Sequence, residues 1–142
     1  TWSPSSISYT GNNRTHMIRV PDKGRFELRL MDGAVNPYLL QAGIIAAGLH
    51  GINNKVNPGE PLSCNMYTDH KNYPNLKKLP NTIEEALDQL KNSKEIKEAF
   101  GNDTIDSYLK LKKSELENFD QNEKFDKRAE VTNWEKNSTL DC

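Results

Sequence analysis

The chain has 142 residues, a formal net charge of -1 and a mean hydropathy of -0.83. That length suits one domain, and the near-balanced charge gives no general attraction to nucleic acid or an anionic membrane surface. The longest apolar run, Tyr38 to Leu49, is too short to cross a bilayer and contains Gln41. No signal-peptide or lipidation pattern is readable. Cys64 and Cys142 show no metal spacing, and His16, His50 and His70 are scattered. A cytoplasmic chain with reduced thiols is expected. The first residue is Thr1 rather than Met, so the chain is read as the C-terminal part of something longer.

Residues 6–10 read as a short extended segment, broken by Gly11-Asn12. Residues 15–20 and 25–30 read as two antiparallel strands joined by a turn over Pro21-Asp22-Lys23-Gly24. In the second strand Arg25, Glu27 and Arg29 share one face, and Phe26, Leu28 and Leu30 the other. The apolar face needs cover, and the next element is suited to supply it. Asn36 is placed to cap a helix with Pro37 at its first position. That helix runs to about Gly51 and is apolar nearly all round, the pattern of a buried helix.

Residues 53–81 are rich in proline and turn formers and read as a long irregular connection. From Thr82 the pattern turns helical. Thr82 and Glu85 form a capping box, followed by an apolar stripe of Ile83, Ala86, Leu87 and Leu90. A short helix over residues 94–100 ends at Gly101. Asp103 is placed to cap a longer helix whose apolar side carries Ile105, Tyr108, Leu109, Leu116 and Phe119. Residues 120–136 are charged and helical in part, with Phe125, Ala129 and Trp134 as anchors. The fold class is therefore α+β: short antiparallel strands, a buried helix, then a mainly helical C-terminal half.

The stretch from Asn13 to Leu30 carries the chemistry. Arg14, Arg19, Arg25 and Arg29 surround one carboxylate, Glu27. Guanidinium groups are permanently charged and present a planar fork to phosphates and carboxylates. A site with this net positive charge would bind phosphate oxygens and help neutralise charge in phosphoryl transfer. One carboxylate is a weak divalent-metal signal, since Mg²⁺ needs further oxygen ligands. Taken alone, the same face also suits a solvated hairpin surface laced with salt bridges.

Three segments, N-R-x-x-x-I-R-x-P at Asn13–Pro21, R-x-E-x-R at Arg25–Arg29 and D-G-A-x-N-P-Y-L at Asp32–Leu39, resemble the C-terminal catalytic region of glutamine synthetase. The resemblance continues in order through Gly51–Lys55, Pro58–Glu60, Asn65–Tyr67, Glu84–Leu87 and Ile105–Tyr108 with Leu111-Lys112. The wording TH-MIRVPD-GRFELRL and the ending TLDC look most like the branch that includes glutamate–methylamine ligases. Residues 1–142 would then be one C-terminal portion of such a catalytic domain.

The resemblance implies an ATP-dependent glutamate–ammonia ligase acting through a γ-glutamyl phosphate, with glutamate–methylamine ligase as the alternative. It implies ATP and Mg²⁺ or Mn²⁺ as cofactors, and a ring-shaped homo-oligomer. Glu27 would be the metal ligand, Arg14 and Arg19 would hold the transferred phosphoryl group, Arg25 the nucleotide and Arg29 the glutamate side-chain carboxylate. Trp2 falls where the family usually has a glutamate that receives ammonium, which favours an alkylamine. The residues after Tyr67 depart from the family's adenylylated pattern, so no adenylylation is expected there. The isolated chain is expected to lack ligase activity. Two readings of other classes stand beside this one: a non-enzymatic anion-binding module, and a helical interaction domain over residues 82–136.

Overall fold

The computed structural model describes residues 3–122 and 131–139. Trp2, Phe125 and Ala129 lie outside them. The chain divides into two compact units, one of residues 1–32 and 55–86, the other of residues 33–54 and 87–142.

The first unit holds a sheet of three strands, β1 (Tyr9–Thr10), β2 (Ile18–Asp22) and β3 (Arg25–Leu28), in that spatial order. The β2–β3 pair is antiparallel, with Ile18 opposite Leu28 and Arg19 opposite Glu27. The β1–β2 pair is parallel, which departs from an all-antiparallel reading. It spans two residues on each strand, Tyr9 with Ile18 and Thr10 with Arg19. The expected start of β2 at Thr15 is also displaced, because Thr15 and His16 spend their side chains on tertiary hydrogen bonds. Pro21 and Asp22 belong to the strand, and the register shifts between Arg19 and Asp22. Proline has no N–H to offer a ladder, so this irregularity accommodates it. The turn itself is Lys23-Gly24, where Gly24 takes a φ of 79° that disfavours side chains.

Residues 55–82 form an ordered connection, with short helix α2 (Met66–Asp69) and a 3₁₀ turn over His70–Asn72. It is stitched to the strands. Ile7 N–H donates to Lys77 O at 2.8 Å, Leu79 N–H to Ser5 O at 3.1 Å, and Leu62 N–H to Tyr9 O at 3.0 Å. The Tyr9 hydroxyl donates to Gly59 O at 2.7 Å. His16 is fully buried at the join. Its Nε2 lies 2.9 Å from Cys64 O and its Nδ1 lies 3.0 Å from Ser8 Oγ. A carbonyl can only accept, so Nε2 donates to it, and Nδ1 shares the second bond with the serine hydroxyl, which can act in either role.

The second unit is helical. Helix α1 (Pro37–Asn53) begins as expected, with Asn36 Oδ1 accepting from Tyr38 N–H at 3.0 Å and Leu39 N–H at 3.1 Å. Helix α3 (Ile83–Asn92) crosses the boundary of the two units. Its start carries the expected Thr82 cap, Glu85 N–H donating to Thr82 Oγ1 at 3.3 Å. The Glu85 carboxylate reaches back to Asn81 N–H at 2.8 Å. Helix α4 (Lys94–Phe100) is capped by Ser93 and closed by Gly101. Helix α5 (Asn102–Asn122) has Asp103 inside its first turn rather than at the cap. Leu87, Ile105 and Leu109 are buried together, with Leu90, Ile96 and Phe100 packed on them. Helix α6 (Asn133–Thr139) places the Trp134 ring edge-on to Phe119 at 5.4 Å.

The expectation of a buried α1 is corrected. The helix has no buried residue; Tyr38 is 82% exposed and Ile52 74%. Within its unit α1 packs against α4, which covers one side of a helix that is apolar on all sides. Between α1 and helices α3–α5 lies an open apolar cavity of about 440 Å³, lined by Leu39, Leu90, Ile96, Phe100, Ile105 and Leu111 among others. Phe26 and Leu30, from the apolar side of the β3 segment, are exposed as well.

The buried imidazole gives a direct test of the first unit. His16→Ala removes two hydrogen bonds and leaves a void, so it should cost about 2–3 kcal/mol in urea unfolding. A loss below about 0.5 kcal/mol, the size of an ordinary surface change, would show that the join is not held by His16.

Candidate active site

The residues expected at the site all lie in the first unit. The β2–β3 register puts Arg19 directly across from Glu27. Arg19 Nη1 is 2.8 Å from each oxygen of the Glu27 carboxylate. The arginine side chain is 12% exposed and the glutamate 38%. This ion pair is therefore shielded on one side and open to solvent on the other.

The Arg19 hydrogen bond holds the Glu27 carboxyl below the usual glutamate range, against the opposing effect of partial burial. The charges of Arg19, Arg25 and Arg14 act in the same direction. Arg14, Arg19 and Arg25 thus share one electrostatic neighbourhood with Glu27. Arg14 and Arg25 are exposed.

Arg29 follows Glu27 by one further alternation. Its backbone N–H donates to Met17 O at 2.9 Å, which continues the hairpin beyond Leu28. Its Nη1 is shielded from solvent and has no hydrogen-bond partner among the described residues. A shielded cationic donor without an acceptor is unfavourable, and a carboxylate or phosphate oxygen suits it.

Several residues that shape the site carry no chemical signature in the sequence. Asn13 Nδ2 donates to Cys64 O at 2.8 Å, and Asn13 Oδ1 accepts from Thr15 N–H and Thr15 Oγ1, both at 2.9 Å. Thr15 Oγ1 in turn accepts from Met66 N–H at 3.0 Å. The Tyr67 hydroxyl donates to Arg14 O at 3.4 Å. Arg14 is therefore flanked by neighbours tied to the 64–67 segment. The partners are some 50 residues away in sequence; only the unbroken polar run Asn13–His16, without the apolar alternation of a half-buried strand, hints at them.

No group of three or more histidine, cysteine, aspartate or glutamate side chains is placed to hold a metal ion among the described residues. Glu27 can supply one ligand to a divalent cation, with the remaining oxygens coming from elsewhere. The guanidinium groups fit the phosphates of a nucleotide.

The model of the glutamine synthetase catalytic domain matches residues 1–137. The chain belongs to the glutamine synthetase family. It is 48% identical over 141 residues to a glutamine synthetase of Rhizobium meliloti (strain 1021), covering 99% of this chain and 31% of that protein. It is 39% identical over 144 residues to a glutamate–methylamine ligase of Methyloversatilis universalis, covering 99% of the chain and 30% of the relative. Among solved structures, a GmaS/ADP complex superposes with a TM-score of 0.79 at 40% identity, over 99% of this chain and 30% of that one. The chain thus spans just under a third of the length of these relatives. The α+β assignment agrees with the superposition.

The lowered Glu27 carboxyl has a pH consequence. A group with a depressed folded-state pKa stabilises fully above its unfolded value, about 4.3 for glutamate, and loses that contribution as pH falls through the lower folded value. The difference in thermal midpoint between the chain and its Glu27→Gln variant should be constant near neutrality and shrink below pH about 4.3. A difference that stays constant into strong acid would mean that Arg19 does not stabilise the ionised carboxylate.

Proposed function

We propose that the chain is a portion of the catalytic domain of an ATP-dependent ligase that joins glutamate to ammonia. The observation that carries this reading is the set of arginines whose charges act on Glu27, Arg19 directly across the hairpin from it with Arg25 and Arg14 nearby, in a chain of this family. In the proposed reaction the side-chain carboxylate of glutamate takes the terminal phosphoryl group of ATP, forming a γ-glutamyl phosphate and ADP. The amine then attacks the acyl carbon, phosphate leaves, and the amide retains the amine nitrogen.

The residues divide that work by position. Arg14 and Arg19 offset the negative charge of the phosphoryl group in flight. Arg25, exposed at the start of β3, meets the nucleotide. Arg29 offers its unpartnered Nη1 to the glutamate side-chain carboxylate. Glu27 would supply one oxygen ligand to Mg²⁺ or Mn²⁺, an ion that would help neutralise the charge of the phosphates. Residues outside this chain or the nucleotide would complete the metal's coordination, since the described residues offer no three-ligand cluster. Assembly into a ring-shaped homo-oligomer and a cytoplasmic location are supported by the family resemblance.

The acceptor is read as ammonia, with methylamine as the second reading. The second reading is supported by the glutamate–methylamine ligase relative and by the GmaS structural match. In the longer enzyme carrying this sequence, comparing turnover with ammonium and methylamine at equal free-amine concentration separates the two.

The class of function is tested at Glu27. In that longer enzyme Glu27→Gln should reduce ATP- and glutamate-dependent phosphate release by about 10²–10³-fold, the scale of losing one electrostatic stabiliser of the transition state. An anion-binding module makes no demand on the carboxylate. If Glu27→Gln retained full phosphate release, or the unsubstituted enzyme released none while still binding phosphate, the ligase reading would be wrong.

A further inference from the structure

Arg19 makes a second set of contacts beyond its pair with Glu27. Its Nε donates to Asn12 Oδ1 at 3.0 Å, and its Nη2 donates to the same oxygen. Arginine offers only donors, so the amide of Asn12 must present its oxygen to it. The edge of the guanidinium formed by Nε and Nη2 is one that arginine uses to grip carboxylates and phosphates in pairs of parallel bonds. Here that edge is closed by a neutral amide oxygen from the residue that follows Gly11. Nη1 is left facing the two oxygens of Glu27, 2.8 Å from each.

The consequence is a division within one side chain. A guanidinium is planar and its position on a flexible stem is set by whatever holds its edges. Glu27 alone touches a single nitrogen of Arg19 and would leave the plane free to turn about that contact. Asn12 removes the freedom by taking a second edge. We propose that Asn12 is a positioning residue, orienting the Arg19 guanidinium so that Nη1 meets Glu27 while the Nε edge is unavailable to an anion. This inference rests on the ligase reading for its place in catalysis. Arg19 then contacts a phosphoryl group only through the outer side of its terminal nitrogens, and its larger task is to fix the carboxylate.

The test uses the ¹⁵N-labelled chain and the Nε–Hε signal of Arg19, identified as the resonance lost in Arg19→Lys. In the unsubstituted chain this proton should exchange slowly with water. Asn12→Ala should speed its exchange by about tenfold, the scale of one lost hydrogen bond. Asn12→Asp retains an acceptor oxygen and should keep the protection. Because Asn12 is exposed, neither change should move the thermal midpoint. Unchanged exchange in Asn12→Ala, equal loss in Ala and Asp, or unfolding of the Ala variant would each overturn the proposal. The readout needs no nucleotide, metal or turnover. Loss of the ligase reading would therefore leave a positive result standing, and a negative result here would leave the ligase reading untouched.

Discussion

The first unit depends on the backbone carbonyl of Cys64. It accepts from Asn13 Nδ2 and from His16 Nε2 at once, at 2.8 and 2.9 Å. The need for such a joint follows from composition. Among the described residues of this unit Met66 is a buried hydrophobic, whereas Ser6, Ser8, Thr10 and His16 are buried and polar. Apolar burial is non-directional and tolerates small shifts, but a buried polar group must meet a partner at a defined distance and angle. A core of this kind fixes geometry more sharply than an apolar one would. The join therefore sets the path of residues 13–16, and Arg14 lies in the middle of that path.

The arginines gain separate meanings from this frame. Arg14 is held through its backbone by the Tyr67 hydroxyl and through its neighbours by the 64–66 segment, which leaves its side chain exposed. Arg19 is held through its guanidinium by Glu27 and Asn12. These are different physical situations for one residue type: a solvated cation on an anchored backbone, and a shielded cation held on two sides by its own donors. The Coulomb interaction between Arg19 and Glu27 is stronger for being partly withdrawn from water. Arg14 and Arg25 act on Glu27 at longer range, where solvent and salt weaken them.

Much of this was legible in the sequence where the signal is local. The Asn36 cap with Pro37, the Thr82 start, the stop at Gly101 and the shared face of Arg25, Glu27 and Arg29 each rest on residues within a few positions of one another. The long-range pairings were not legible. The parallel β1–β2 contact pairs residues nine positions apart without a hairpin turn to announce it, and the clasp of Asn13 and His16 on Cys64 depends on where a loop some 50 residues distant returns. Helix α1 shows the limit in another way. Its composition reports the surroundings in which such a helix is stable, whereas its exposure reports the neighbours present. The described residues place α4 against it, and the relatives matched are about three times as long as this chain.

Arg29 combines backbone anchoring and a shielded charge at one atom. Its backbone continues the hairpin through the bond to Met17, which fixes the point from which the side chain extends. Its Nη1 is shielded and unpartnered among the described residues. Removing a charged donor from water without giving it an acceptor costs about 1–3 kcal/mol or more. An anionic oxygen arriving at Nη1 recovers that cost as well as forming a charge-assisted bond. An exposed arginine starts fully hydrated and gains less from the same contact. The hairpin thus makes Arg29 more selective for an anion than its charge alone would, and it does so at the end of the face where Glu27 and Arg19 are already paired.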